Sequence, residues 1–179
     1  MIKLNVGSNA VLMDGWINMD IENIEGVVQH DATTKFPYED NSVDFIFSEH
    51  FIEHLVLNDG VFFFSECYRI LKPGGVVRTS TFDIDNLMIN LHKDKWDEYK
   101  MWLYDGQFKD RDRIEFLNMA IYDGGNVHKY MYNPDEMIRL LKKAEFSTFN
   151  VPKMKESSYP ELQNLEFRCN SDCVVEAVK

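Results

Sequence analysis

Positive charge is scarce. There are 19 Lys and Arg against 30 Asp and Glu, which leaves this 179-residue chain with a formal charge of −11 at pH 7. Nucleic-acid backbones are held mainly by clustered cations, so this balance argues against nucleic acid as a partner, and against an anionic membrane surface for the same reason. Cysteine is scarce too: Cys67, Cys169 and Cys173 cannot all pair, and no disulfide framework follows from them. A reducing, cytoplasmic setting is expected. Long hydrophobic runs are missing, and stretches such as Val61–Phe64 fall far short of the roughly 20 residues a membrane span needs. The opening Met-Ile-Lys-Leu-Asn holds no apolar stretch of signal-peptide length. Repeats, low-complexity tracts and Gly/Ser linkers are absent. The hydrophobic fraction of 45% nevertheless suits a globular chain, and a single domain over 1–179 is expected.

The first half reads as short strands. Lys3–Val6 alternates and stops at Gly7; Trp16–Ile21 and Gly26–His30 each end beside an aspartate, Asp20 and Asp31. Val43–Ser48 is β-branched and aromatic, as in a buried strand. Apolar residues at 61, 64, 68 and 71 predict a helix over Asp59–Leu71, which Lys72-Pro73-Gly74-Gly75 terminates before a strand over Val76–Thr81. A second helix begins at Asn133, with a capping residue, Pro134 in the first turn and Glu136 three residues on. Phe146–Val151 follows as a strand, and Leu165–Cys169 with Val174–Val178 is expected to form an antiparallel hairpin. Strand–helix–strand alternation indicates an α/β architecture with a largely parallel sheet. Between about 84 and 130 lies an aromatic-rich insertion (Trp96, Tyr99, Trp102, Tyr104, Phe108 and Tyr122, with Tyr130 and Tyr132 just beyond). It reads either as a lid over a substrate or as plain cover for the sheet.

Open α/β sheets bind ligands beyond the carboxyl ends of their strands. The residues there are Gly7-Ser8-Asn9, Asp20, Asp31-Ala32, Ser48-Glu49-His50 and Phe82-Asp83, an acidic rim around one glycine. A dinucleotide needs several glycines and a nest of amides at positive potential, so the rim predicts a nucleoside without phosphates, itself cationic. S-adenosylmethionine answers that description through its ribose diol, adenine amine and sulfonium.

Leu4-Asn5-Val6-Gly7-Ser8-Asn9 and Gly15-Trp16-Ile17-Asn18-Met19-Asp20-Ile21 resemble the first two motifs of class I S-adenosylmethionine-dependent methyltransferases, in a small bacterial form with a shortened amino half. His30-Asp31-Ala32, the run from Phe36 to His50 with Glu53-His54-Leu55, and Glu66 to Gly75 are similar to the family's following segments. The likeness resumes over His128–Phe146 and implies a doubly wound, Rossmann-like α/β fold with a mostly parallel seven-strand sheet closed by the C-terminal antiparallel hairpin. It implies that Asn5, Gly7, Ser8 and Asn9 lie under the methionine part of S-adenosylmethionine. It also implies that Asp20 with Ile21 takes the ribose, that Asp31 and Ala32 meet the adenine edge, and that Ser48 or Glu49 borders the methyl group. Two departures stand out: Ser8 and Asn9 replace the family's further glycines, and the intervals from Gly7 to Asp20 to Asp31 are too short for full crossover helices. The pocket is therefore more open than usual, or a second copy in a homo-oligomer covers it.

Methyl transfer from a sulfonium depends mainly on alignment, and a hydroxyl acceptor adds the need for a general base. His50 is the first candidate base and His128 the second; Asp83 either orients a substrate or caps the next helix. The expected reaction is methylation of an O or N nucleophile on a small molecule such as a sugar or another metabolite. Two other readings stay open. The fold can serve as a binding or scaffold module without turnover. Alternatively, His50-Phe51-Ile52-Glu53-His54 matches the His-x-x-Glu-His pattern of zinc hydrolases. Cys169 and Cys173 lack a second ligand pair, and no metal ligand is assigned.

Overall fold

The computed structural model describes residues 1–92, 94–102, 106, 109–122 and 128–179. Strands β1 (Lys3–Val6), β2 (Ile17–Asp20), β3 (Val28–Gln29), β4 (Val43–Glu49), β5 (Leu71–Thr81), β6 (Thr148–Asn150) and β7 (Cys173–Val178) build one sheet. Their order is β3-β2-β1-β4-β5-β7-β6. The first five run parallel, while β7 is antiparallel to both β5 and β6. The expected mostly parallel seven-strand α/β sheet is therefore present. Chain order reverses between β1 and β4, and neighbouring connections diverge there to leave a crevice.

One face of the sheet carries helices. Helix α1 (Leu57–Ile70) buries Phe63, Phe64, Cys67 and Ile70 against Leu4, Ile46 and Val77. It stops where Pro73 would lack an amide to donate, and a Cβ on Gly75 would sit 2.9 Å from the Lys72 carbonyl and 3.0 Å from that of Asp44. Helix α2 (Ile84–Asn90) begins the insertion. Two others, α3 (Trp96–Trp102) and α4 (Arg113–Tyr122), follow it. Helix α5 (Pro134–Lys143) returns to the sheet and buries Met137, Leu140 and Leu141. Asn133 caps α5 as expected, its Oδ1 accepting from the Glu136 amide at 2.9 Å.

The opposite face is covered by irregular chain. The connections spanning 7–16, 21–27 and 30–42 contain no helix, which explains the short intervals between the first strands. Met13, Leu162 and Leu165 pack there on Phe47 and Val76. Fully buried Arg78 fixes this cover: its Nε donates to Glu166 Oε1 and its Nη1 to Glu176 Oε1, both at 2.7 Å. Leu165–Cys169 is consequently no strand. Glu166 is committed to Arg78 and to the Lys155 amide, and the outer antiparallel partner of β7 is β6. Within Gly26–His30 only Val28–Gln29 is extended, as an exposed edge.

The insertion has its own small core of Phe82, Leu87, Leu91, Trp96 and Phe116, with Tyr99 against it. Tyr130 and Tyr132 belong to the main core instead, Tyr122 is exposed, and Tyr104 and Phe108 lie outside the described residues. Asp83 caps α2 by accepting from the Asp85 amide at 2.9 Å. Among the described residues no helix is long and apolar enough to cross a membrane.

Candidate active site

The turn after β1 is built on left-handed backbone at Gly7 (φ +71°) and Asn9 (φ +46°), which Gly and Asn tolerate best. A Cβ at Gly7 would lie 2.5 Å from the Phe51 ring, so only glycine fits against it. The amides of Gly7 and Ser8 both donate to the Met19 carbonyl, at 2.9 and 3.0 Å. Asn9 N donates to Asp20 Oδ2 at 2.7 Å, Ala10 N to Asn9 Oδ1 at 2.7 Å and Val11 N to the Ser8 carbonyl at 2.9 Å. Every amide of the turn is thus satisfied internally, and none is left to cradle a pyrophosphate. Buried Asn5 braces the turn through Nδ2, which donates to Asn18 Oδ1 at 3.0 Å and the Val11 carbonyl at 3.2 Å.

Two carboxylates follow at adjacent strand tips. Asp20, ending β2, accepts from the Asn9 and Glu22 amides, and 58%-exposed Ile21 stands beside it. Asp31 Oδ1 accepts from the Thr33 hydroxyl at 2.7 Å and its amide at 2.9 Å, bonds that hold the Asp31 carboxyl below the usual range. Both groups keep unused lone pairs. Ala32 is buried in the main core. Neighbouring His30 has a buried Nε2 without a partner, and burial lowers its pKa.

At the tip of β4 the two side chains face opposite ways. Ser48 is 1% exposed and turns to the helical face, where its hydroxyl donates to Thr79 Oγ1 at 2.9 Å. Alternation along β4 sends Glu49 to the irregular face. There Oε1 accepts from the Phe167 and Arg168 amides at 2.9 Å and the Ser171 hydroxyl at 2.5 Å. Glu49 therefore ties down the carboxyl-terminal cover. A narrow crevice of about 20 Å³ remains between Gly7, Ser8 and Val11 on one side and Phe47, Glu49 and Phe167 on the other.

Beyond β4, His50 adopts φ +48°, unusual for a residue with a side chain, while its amide still donates to the Ser80 carbonyl at 2.8 Å. Nδ1 of His50 lies 2.9 Å from Oε1 of fully buried Glu53. The His50 and Phe82 rings are 6.2 Å apart, Phe82 and His128 5.4 Å, and His128 and His54 4.7 Å. Both expected bases thus belong to one cluster around Phe82. The zinc-hydrolase pattern does not form. Left-handed His50 and the single 3-10 turn Ile52–His54 keep the two histidines off a common helix face, and His50 turns to Glu53 instead. Cys173 starts β7 and burial pushes its thiol up; neither it nor Cys169 joins a metal-ligand group among the described residues. Sequence reasoning named Glu53 and His54 in that pattern and in a family-like segment, and nothing in it linked them to distant His128.

A methyltransferase-domain profile matches residues 7–79. A probable S-adenosylmethionine-dependent methyltransferase of Mycolicibacterium smegmatis is 43% identical over 54 residues, which is 30% of this chain and 20% of that protein. The matched segment is thus a fifth of the curated relative's length. An S-adenosylmethionine-dependent methyltransferase structure from Thermotoga maritima superposes with a TM-score of 0.59 at 19% identity, covering 99% of this chain and 82% of the other. One from Archaeoglobus fulgidus gives 0.60 at 16% identity, covering 99% and 85%.

Residues 7–79 match the methyltransferase domain, and nearly the whole chain shares the fold of these two methyltransferase structures. The residues present fit S-adenosylmethionine. A turn with no free amides suits a ligand without phosphates, acidic groups at successive strand tips suit hydroxyls, an exocyclic amine and a cation, and exposed Ile21 offers an apolar surface.

Proposed function

We propose that the protein transfers a methyl group from S-adenosylmethionine to an O or N nucleophile of a small molecule, a sugar or another metabolite. The observation that carries this reading is the pairing of Asp20 and Asp31 at neighbouring strand tips beside the internally satisfied Gly7–Val11 turn. Bound there, the cofactor supplies a methyl group on a positively charged sulfur. Asp20 accepts from the ribose hydroxyls, Ile21 covers an adenine face, and Asp31 with the backbone at Ala32 meets the adenine edge. Asn5, Gly7, Ser8 and Asn9 shape the floor; Ser48 serves through its backbone and Glu49 through the cover it holds.

His50 and His128 stand on the acceptor side and are assigned to the acceptor's polar groups. Positioning supplies most of the acceleration, since fixing two reactants in line is worth about 7–11 kcal/mol. The described helices of the insertion wall this side, because Phe82 joins their core to the histidine cluster. The negative surface favours a neutral or cationic acceptor. Incubation with methyl-labelled S-adenosylmethionine and panels of small alcohols, sugars and amines tests this reading. Label transfer to at least one acceptor class is expected; the scaffold reading, favoured by the helix-free amino half, predicts no transfer and no thermal shift with the demethylated cofactor.

A further inference from the structure

We infer that Glu53, His54 and His128 form a binding site for one divalent transition-metal cation such as Zn²⁺. One carboxylate oxygen of Glu53 and one ring nitrogen of each histidine all lie within 4.8 Å of one another. A cation about 2.1 Å from each ligand wants them roughly 3.4 Å apart in tetrahedral geometry, which small side-chain rotations reach. Three further features point to a cation.

First, Glu53 is fully buried; His50 Nδ1 lies 2.9 Å from its Oε1, while Oε2 has no hydrogen-bond partner among the described residues. A buried carboxylate with one oxygen unpartnered favours a further positive charge beside it. Second, His128 Nδ1 contacts the Ala120 carbonyl oxygen, which can only accept; Nδ1 therefore carries a proton, and in the neutral ring the lone pair is on Nε2. Metal-ligating histidines show this arrangement, their other ring N–H being fixed by a carbonyl or carboxylate. Third, the main chain holds the two parts together: the Lys129 and Tyr130 amides both donate to the Glu53 carbonyl, at 2.7 and 3.2 Å. The segment carrying His128 is thus docked beside the 3-10 turn that carries Glu53 and His54.

Two imidazoles and one carboxylate suit Zn²⁺ and neighbouring transition metals better than Mg²⁺ or Ca²⁺, which prefer oxygen ligands. Three protein ligands leave a coordination position open. On the methyltransferase reading, on which this part rests, the open position takes an oxygen of the acceptor, so that His128 acts on the acceptor through the cation, and directs acceptor choice toward oxygen-bearing metal chelators. The cation site itself stands on the geometry alone.

The test titrates Co²⁺, whose visible absorption reports its coordination, into the full chain, with Zn²⁺ as competitor. Because Glu53 is fully buried, His54→Gln and His128→Gln carry the comparison alongside Glu53→Gln, with circular dichroism to verify folding. One Co²⁺ per chain, displaced by Zn²⁺ and bound roughly ten-fold or more weakly by each folded histidine variant, is the expected result. No absorption band at millimolar Co²⁺, or equal affinity in wild type and both histidine variants, overturns the site. Calorimetry with S-adenosylhomocysteine on the same samples separates the two readings. Cobalt binding without nucleoside binding keeps the cation site and removes the methyltransferase reading, and nucleoside binding without cobalt does the reverse.

Discussion

The two halves of the sheet are stabilised by different means. From β4 onward, α1 and α5 bury a continuous apolar face, and Arg78 ties the other face to Glu166 and Glu176. In the β1–β3 half no helix connects the strands, β3 has two exposed residues, and polar bonds such as Asn9 to Asp20 and Asn5 to Asn18 add to the burial of Leu4, Val6 and Met19. Hydrophobic burial grows with area, whereas an exposed hydrogen bond such as Asn9 to Asp20 contributes little net. The half from β4 onward therefore contributes more of the stability, and the other carries the carboxylates proposed to meet the nucleoside.

The largest expected effect breaks the stable half. Arg78→Met leaves Glu166 and Glu176 buried without their counter-charge, and urea denaturation should show a loss of about 3–5 kcal/mol. A loss under about 1 kcal/mol would dissolve the contrast between the halves. In the other half, Gly7→Ala forces a left-handed alanine costing about 1–2 kcal/mol and pushes on Phe51. It should weaken nucleoside binding more than it lowers the urea midpoint. Asn133→Ala removes the α5 cap and should cost about 1 kcal/mol, with no change in nucleoside affinity. The smallest effect is electrostatic. Arg69 beside Glu66 holds that carboxyl below its ordinary value, so the pair's contribution is complete above about pH 4.5 and is lost as pH falls further. Stability measured from pH 6 to 3 should decline less steeply in Glu66→Gln than in wild type.

The strongly patterned elements were legible in the sequence. Asn133-Pro134 marked α5, the 61, 64, 68, 71 spacing marked α1, and the short intervals between Gly7, Asp20 and Asp31 announced connections without helices. What escaped depended on partners far along the chain. Leu165–Cys169 has strand-like composition, yet Arg78 claims Glu166 for the cover. The strand-tip position of Glu49 was visible, while its three donors from Phe167, Arg168 and Ser171 were not. Ser48 and Glu49 also lie on opposite faces, a consequence of strand alternation that strand-tip position alone did not reveal. The gathering of His54 and His128 beside Glu53 likewise needed the fold to become apparent.

The central claim is that Asp20, at the tip of β2, grips the ribose of a nucleoside whose sulfur carries the reaction. Calorimetric titration with S-adenosylhomocysteine, on wild type and Asp20→Ala, tests it most directly. Losing a charge-assisted hydrogen bond costs about 1.5–3 kcal/mol, so the variant should bind roughly 10- to 100-fold more weakly while unfolding cooperatively like wild type. Equal affinity in the two proteins, or no binding to wild type, would contradict the account.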